Sequence, residues 1–142
     1  MVRKQHLEFT TEFKYLGHMI NNTQLDDADI NREIKNLFYR CNVLTRRFYS
    51  SSVSVKRVLF KSFCLCMYDV ALWTNFTVKS YKRMKACYMK CLKIFFGYSR
   101  SYSVTTMLSE IDIPDLALQL IILNVFLNNS LCGVVILSYD SL

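Results

Sequence analysis

The tightest group of carboxylates in the chain is Asp26, Asp27 and Asp29. Metal-dependent polymerases, nucleases and phosphotransferases hold Mg²⁺ with one or two carboxylates per ion and let phosphate oxygens complete the shell. These aspartates, however, stand where the apolar periodicity of a helix begins, and the unpaired N–H groups of a helix start welcome negative charge. Helix capping is therefore their expected role. Histidine is limited to His6 and His18, neither in a recognisable nucleophile motif, so general base catalysis has almost no material. There is no Gly-rich phosphate loop. Cys87 and Cys91, at i and i+4, could share a metal, but they lie beside Met84, Tyr88 and Phe95 on one apolar stripe, where free cysteine acts as a small hydrophobe. The six cysteines, Cys64-x-Cys66 among them, match no conventional zinc spacing and read as reduced thiols. These residues predict no catalytic centre, no metal and no cofactor: the chain is expected not to be an enzyme.

The remaining chemistry is cationic. The formal charge is +7, but between Ile34 and Ser109 the only acid is Asp69, set against fourteen lysines and arginines. A block this one-sided repels itself in a compact state unless a polyanion partners it. Two runs stand out, Arg46, Arg47, Lys56, Arg57 and Lys61, then Lys79, Lys82, Arg83, Lys85, Lys90 and Lys93, with Tyr49, Tyr81, Tyr88 and Tyr98 interleaved as stacking surfaces. A single run would be as well explained by a solvated helix face; two runs without acids favour binding. Nucleic acid is the expected partner, through its backbone rather than its sequence. Six simultaneous phosphate contacts would give a slope of about −5 in log affinity against log salt.

Long helices must carry these side chains. The chain has 142 residues, 52% of them hydrophobic, which is ample for one core, while three glycines and one proline are too few to punctuate many short strands. The fold class expected is mainly α, a helical bundle preceded by a short β-strand or hairpin. Leu7 to Ile20 reads as one strand, with Phe13, Tyr15 and Met19 on one side and Leu16 and Ile20 on the other, and a possible hairpin with Leu7 to Thr10. The first helix should begin near Asp27, with Ile30, Ile34, Leu37, Phe38, Cys41, Leu44 and Phe48 on one face. After Ser50-Ser51-Ser52 a second helix is expected from Val53 to about Thr74. A third fits Val78 to Phe96, ended by Gly97 in a left-handed cap. Ser103 should cap a short turn ending near Glu110, and Pro114 should sit in the first turn of a last helix reaching about Asn128.

At Phe13-Lys14-Tyr15-Leu16-Gly17-His18-Met19-Ile20, followed by a polar turn and Ile30-Asn31-Arg32-Glu33-Ile34, the chain resembles the reverse transcriptases of non-LTR (LINE-type) retrotransposons. The likeness continues in order through Arg40 to Arg47, Lys56 to Tyr68, Ala71-Leu72-Trp73, the basic helix Lys82 to Phe96, and Ile113-Pro114. It spans roughly residues 9 to 118, and the ordered series rather than any one motif carries it. The resemblance implies a residual palm-closing strand or hairpin over 1–22 and a helical thumb-like domain over 23–130 that grips a primer-template hybrid. The tail over 131–142 matches nothing in it. The family's catalytic aspartates lie in palm motifs that this sequence does not contain. The chain would then be a noncatalytic fragment or remnant of an RNA-directed DNA polymerase, with a palm-containing polypeptide as a second conceivable partner.

A competing reading is a basic protein attached to a membrane, drawn from the apolar stretches Leu116 to Leu127 and Leu131 to Leu137. Each is shorter than the roughly 20 residues that span a bilayer, which makes a membrane the less favoured partner. An inert pseudogene product is the third. The N-terminus has no apolar run behind its basic residues, so no secretory signal is expected, and an intracellular location, cytoplasmic or nuclear, follows. The sequons at Asn21, Asn75 and Asn128 are then chance matches.

Overall fold

The structure is a computed structural model, and it describes residues 9–65, 73–123 and 125. The fold is mainly α, with one two-stranded hairpin ahead of the helices. Strands β1 (Glu12–Tyr15) and β2 (His18–Asn21) pair antiparallel, with Tyr15 opposite His18 and Glu12 opposite Asn21. The single strand read from Leu7 to Ile20 is corrected: the chain reverses at Leu16 (φ 48°) and Gly17 (φ 93°). Two central residues at positive φ make the tight turn whose twist matches that of paired strands, and Gly17 takes its angle without a Cβ to clash. Leu7 and Glu8, part of the hairpin expected with Leu7 to Thr10, lie outside the described residues.

Helix α1 (Asp27–Phe48) begins where the acidic residues and the apolar period place it, and it buries Ile30, Ile34, Leu37, Cys41 and Leu44. Phe38 and Phe48, on the flanks of the same face, pack partly buried against that core. Helix α2 (Val53–Phe63) starts after the serine run but stops well short of Thr74. Its last backbone bond runs from Cys64 N–H to Phe60 O at 2.9 Å. Residues 66–72 lie outside the described residues, and 73–77 are irregular, with three of their N–H groups taken by side chains at the start of α1. Thr74 and Asn75 donate to the Asp26 carboxylate at 2.9 and 2.8 Å, and Thr77 donates to Asp27 at 2.9 Å. A backbone donor captured by a side chain cannot also close a helical turn.

Helix α3 (Val78–Phe96) matches its expected span. Thr77 Oγ1 accepts from Ser80 N–H at its start, and Gly97 (φ 82°) closes it, with Gly97 and Tyr98 N–H both bonded to Lys93 O. Helix α4 (Val104–Ile111) follows Ser103, and a further helical stretch, α5, is described over 116–123. Pro114 stands two residues ahead of α5 rather than inside its first turn. The expected end at Asn128 and the tail 131–142 lie outside the described residues.

The core forms where α1 and α3 cross, with Phe60 of α2, Met107 and Ile111 of α4, and Ile113 and Leu116 around it. Phe60 lies edge-on to Tyr88, centroids 6.0 Å apart, and stacks on Phe95 at 6.2 Å. Full burial of such a side chain contributes about 1.5–3 kcal/mol. Cys41 Sγ donates to Cys91 O at 3.4 Å and Cys87 Sγ to Ile34 O at 3.7 Å. Hydrogen bonds to these neighbouring thiols, together with burial, push the Cys91 thiol far above its ordinary value. Cys41, Cys87 and Cys91 therefore pack as small hydrophobes between the helices. Among the described residues no three His, Cys, Asp or Glu side chains are grouped to hold a metal ion, and no helix is long and apolar enough to cross a membrane.

Candidate nucleic-acid interface

Helix α3 separates its chemistry by face. At 3.6 residues per turn, the buried Met84, Cys87, Tyr88, Cys91, Leu92 and Phe95 fall on one side, and Lys79, Lys82, Arg83, Ala86, Lys90 and Lys93 fall opposite. The cationic stripe from Lys79 to Lys93 is about 21 Å long at about 1.5 Å per residue. Lys79, Lys82, Arg83 and Lys90 are exposed and form no ion pair with a described residue. The Lys90 ammonium lies over the Phe38 ring of α1, 5.5 Å from its centroid, a cation–π contact made by an otherwise exposed side chain.

The other two α3 lysines are spoken for within the fold. Lys85 Nζ is 3.0 Å from Asp115 Oδ2, and that bonded carboxylate holds its ammonium above the ordinary lysine value. Lys93 Nζ donates to Arg100 O and Tyr102 O, both at 2.7 Å, and ties the loop after α3 back onto the helix.

The run around α1 and α2 divides in the same way. Arg46 and Arg47 are exposed in the last turn of α1, where the helix dipole favours positive charge, and Lys61 is exposed near the end of α2. Lys56 is only 8% exposed, its ammonium 5.4 Å from the Tyr49 ring centroid and 5.7 Å from that of Phe95. Arg57 Nη1 lies 3.7 Å from Asp112 Oδ2. The sequence treats all eleven cations alike; the fold leaves seven open to a ligand and turns Lys56, Arg57, Lys85 and Lys93 to internal work.

The tyrosines divide further. Tyr88, named as a stacking surface, is corrected: it has no exposed surface and its hydroxyl donates to Pro114 O at 2.8 Å. It occupies the apolar stripe of α3, and a ring there cannot meet a base. Tyr49 is exposed beneath Lys56, and Tyr81 stacks on Phe76 with centroids 6.2 Å apart. Tyr98 and Tyr102 both donate to Glu110 at 2.7 Å, and this bond, with burial, pushes the Tyr98 phenol up to about 12.

Asp26, Asp27 and Asp29 stand at the N-cap and in the first turn of α1 as expected, but their side chains bond chiefly to other segments. Asp26 occupies the N-cap position of α1 but its side chain makes no cap bond. Instead Asp26 and Asp27 take the backbone of 74–77, as described above, and the inaccessible Asp29 takes three donors: Met19 N–H of β2 at 3.1 Å, Arg32 Nε at 2.7 Å and Trp73 Nε1 at 2.8 Å. His18 sits against the pair, Nδ1 3.1 Å from Asp29 Oδ2 and Nε2 3.7 Å from Asp26 Oδ1. The cluster joins the hairpin, the start of α1 and the approach to α3. No sequence signal pairs these aspartates with residues nearly fifty positions away.

The joint is sensitive to acid. Burial pushes the Asp29 carboxyl up, but the hydrogen bonds from Arg32, Trp73 and Met19 and the Arg32 charge outweigh it and hold the group below the ordinary value. Asp27 is likewise lowered: burial opposes, and the Thr77 N–H with the Thr77 and Ser80 hydroxyls prevails. A carboxyl depressed in the folded state stabilises fully above its unfolded value, about 4, and loses that contribution as pH falls through the lower folded value. The urea midpoint followed by far-UV circular dichroism should therefore decline below about pH 4; a midpoint unchanged down to about pH 2 would contradict these shifts.

Comparison with protein-family models, with curated proteins and with solved structures gave no match in any of the three.

Proposed function

We propose that this chain grips the sugar–phosphate backbone of a nucleic acid with the cationic face of α3, as a noncatalytic counterpart of the region after the palm in non-LTR retrotransposon reverse transcriptases. The observation that carries the reading is the stripe of Lys79, Lys82, Arg83 and Lys90, which has no acid on it and no ion-pair partner among the described residues, on a helix whose other face is core. Such an array costs repulsion that a polyanion relieves. The resemblance of residues 9 to 118 supports the choice of a primer-template hybrid as ligand. In this reading the chain contributes grip rather than chemistry, and Arg46, Arg47 and Lys61 widen the contact.

The test is an anisotropy titration of a labelled RNA–DNA hybrid at several salt concentrations. Four phosphate contacts from the stripe give a slope of about −3.6 in log affinity against log salt, and recruitment of α1 and α2 cations steepens it. Binding that is absent, or that ignores salt, removes the proposal.

A second reading is favoured by one observation. Leu118, Ile121, Ile122 and Val125, at helical spacing, are each about half exposed, an apolar row along the last helix. Attachment to a membrane surface would bury such a row. Flotation with anionic liposomes that survives high salt would support attachment over phosphate binding, because buried apolar area is not screened.

A further inference from the structure

The stripe on α3 does not end in open surface. Its last members, Ala86, Lys90 and Lys93, also line a groove of about 450 Å³ between the end of α3 and the loop that follows it. That volume is within the range of small-ligand sites, about 300–1,000 Å³. Met89 and Ile94 supply an apolar wall from the helix, and Tyr98 and Val104 close the far side from the loop and the start of α4. Arg100, exposed and without an ion pair to a described residue, stands with Lys90 and Lys93 as its cationic side chains.

The groove is held in shape by the fold itself. Lys93 bonds the carbonyls of Arg100 and Tyr102, so the loop bearing Arg100 is pinned against α3 rather than left to swing. Tyr98 is fixed by its bond to Glu110 and by the Tyr102 ring, 4.8 Å away between centroids. The Glu110 carboxylate stands behind the Tyr98 ring, bonded through its hydroxyl, and the ring rather than a charge lines the groove. A largely apolar groove with Lys90, Lys93 and Arg100 in its lining, continuous with a phosphate-tracking stripe, combines the two things that bind an unpaired nucleotide: apolar surface for its flat base and positive charge for its backbone.

We propose that this groove takes one unpaired nucleotide of the gripped strand, its base between Met89, Ile94 and Tyr98 and its phosphate at Arg100 and Lys90. The inference rests on the backbone-binding reading and sharpens it: the chain would prefer a duplex that carries a single-stranded extension over a blunt one.

The test compares a blunt RNA–DNA hybrid with the same hybrid bearing a short single-stranded overhang. The chain should bind the overhang form about tenfold more tightly, the size of one base-stacking contact. Arg100→Ala, and separately Val104→Phe to fill the slot, should erase that preference while blunt-duplex affinity changes by less than about twofold; both positions are exposed, and circular dichroism checks that each variant folds. Equal wild-type affinity for the two hybrids overturns the groove proposal and leaves backbone binding standing, provided the blunt complex is salt-sensitive. No salt-sensitive binding to either hybrid removes both. A preference that survives in both variants shows that the overhang binds elsewhere and overturns the assignment.

Discussion

Asp29→Ala is expected to lower the unfolding free energy by about 3–5 kcal/mol, the usual cost of removing one partner from a buried charged network. Against a total stability of about 5–15 kcal/mol for a domain, this is a large share of what holds the fold together. The reason is the number of separate segments that depend on one carboxylate. Met19 N–H, the Trp73 indole and the Arg32 guanidinium all donate to it, and its side chain is out of reach of water. Alanine deletes the acceptor for all three and leaves an indole N–H and a backbone N–H with nothing in its place. Asp29→Asn retains one acceptor oxygen but not the charge that Arg32 needs, and should fall between parent and alanine variant. Urea unfolding followed by circular dichroism measures the series. An alanine variant within about 0.5 kcal/mol of the parent would mean that water reaches and satisfies these donors.

Neutralising Lys79, Lys82 and Arg83 together should weaken binding to an RNA–DNA hybrid by about a thousandfold, if each charged contact contributes about 1.5 kcal/mol. The salt slope should become shallower by about three, since each lost phosphate contact removes about one unit. Stability should scarcely change, because all three are exposed on the face of α3 away from the core. Lys85→Ala is the informative control. Its ammonium is held by Asp115, so its loss should alter affinity by less than about twofold although it is the same residue type on the same helix. Equal losses from Lys85→Ala and Lys82→Ala would show that net charge, not the stripe, drives association.

The features visible in the sequence are those set by local periodicity. The apolar steps through α1 and α3, the Gly97 cap and the short helix after Ser103 all follow from spacings within a turn or two of their own residues. The features that were not visible depend on distant partners. Nothing near Val53 announces that the helix there ends at Phe63, or that backbone N–H groups of 74–77 are committed to Asp26 and Asp27 across the chain. The turn at Leu16-Gly17 is within reach of the sequence, since glycine after a short aromatic run is a hairpin signal, but the apolar alternation continues across it and masks the reversal. Charge counting likewise identified the eleven cations without separating Lys56, sandwiched near two rings, from Lys82, open to solvent. Only contacts of tertiary structure make that division.

The span of the joint at the start of α1 also sets an order of assembly on the ribosome. Its partners lie 44 to 50 residues further along the chain, and the thiol contacts between α1 and α3 join positions 50 and 53 apart. Helix α1 emerges well before α3, with Leu37, Cys41 and Leu44 in search of a surface that has yet to be synthesised. At about 5–20 residues per second, the wait is about 3–10 s. During that interval α1 presents an amphipathic face without its core, a surface suited to chaperone capture, and closure of the α1–α3 core is timed by the arrival of α3.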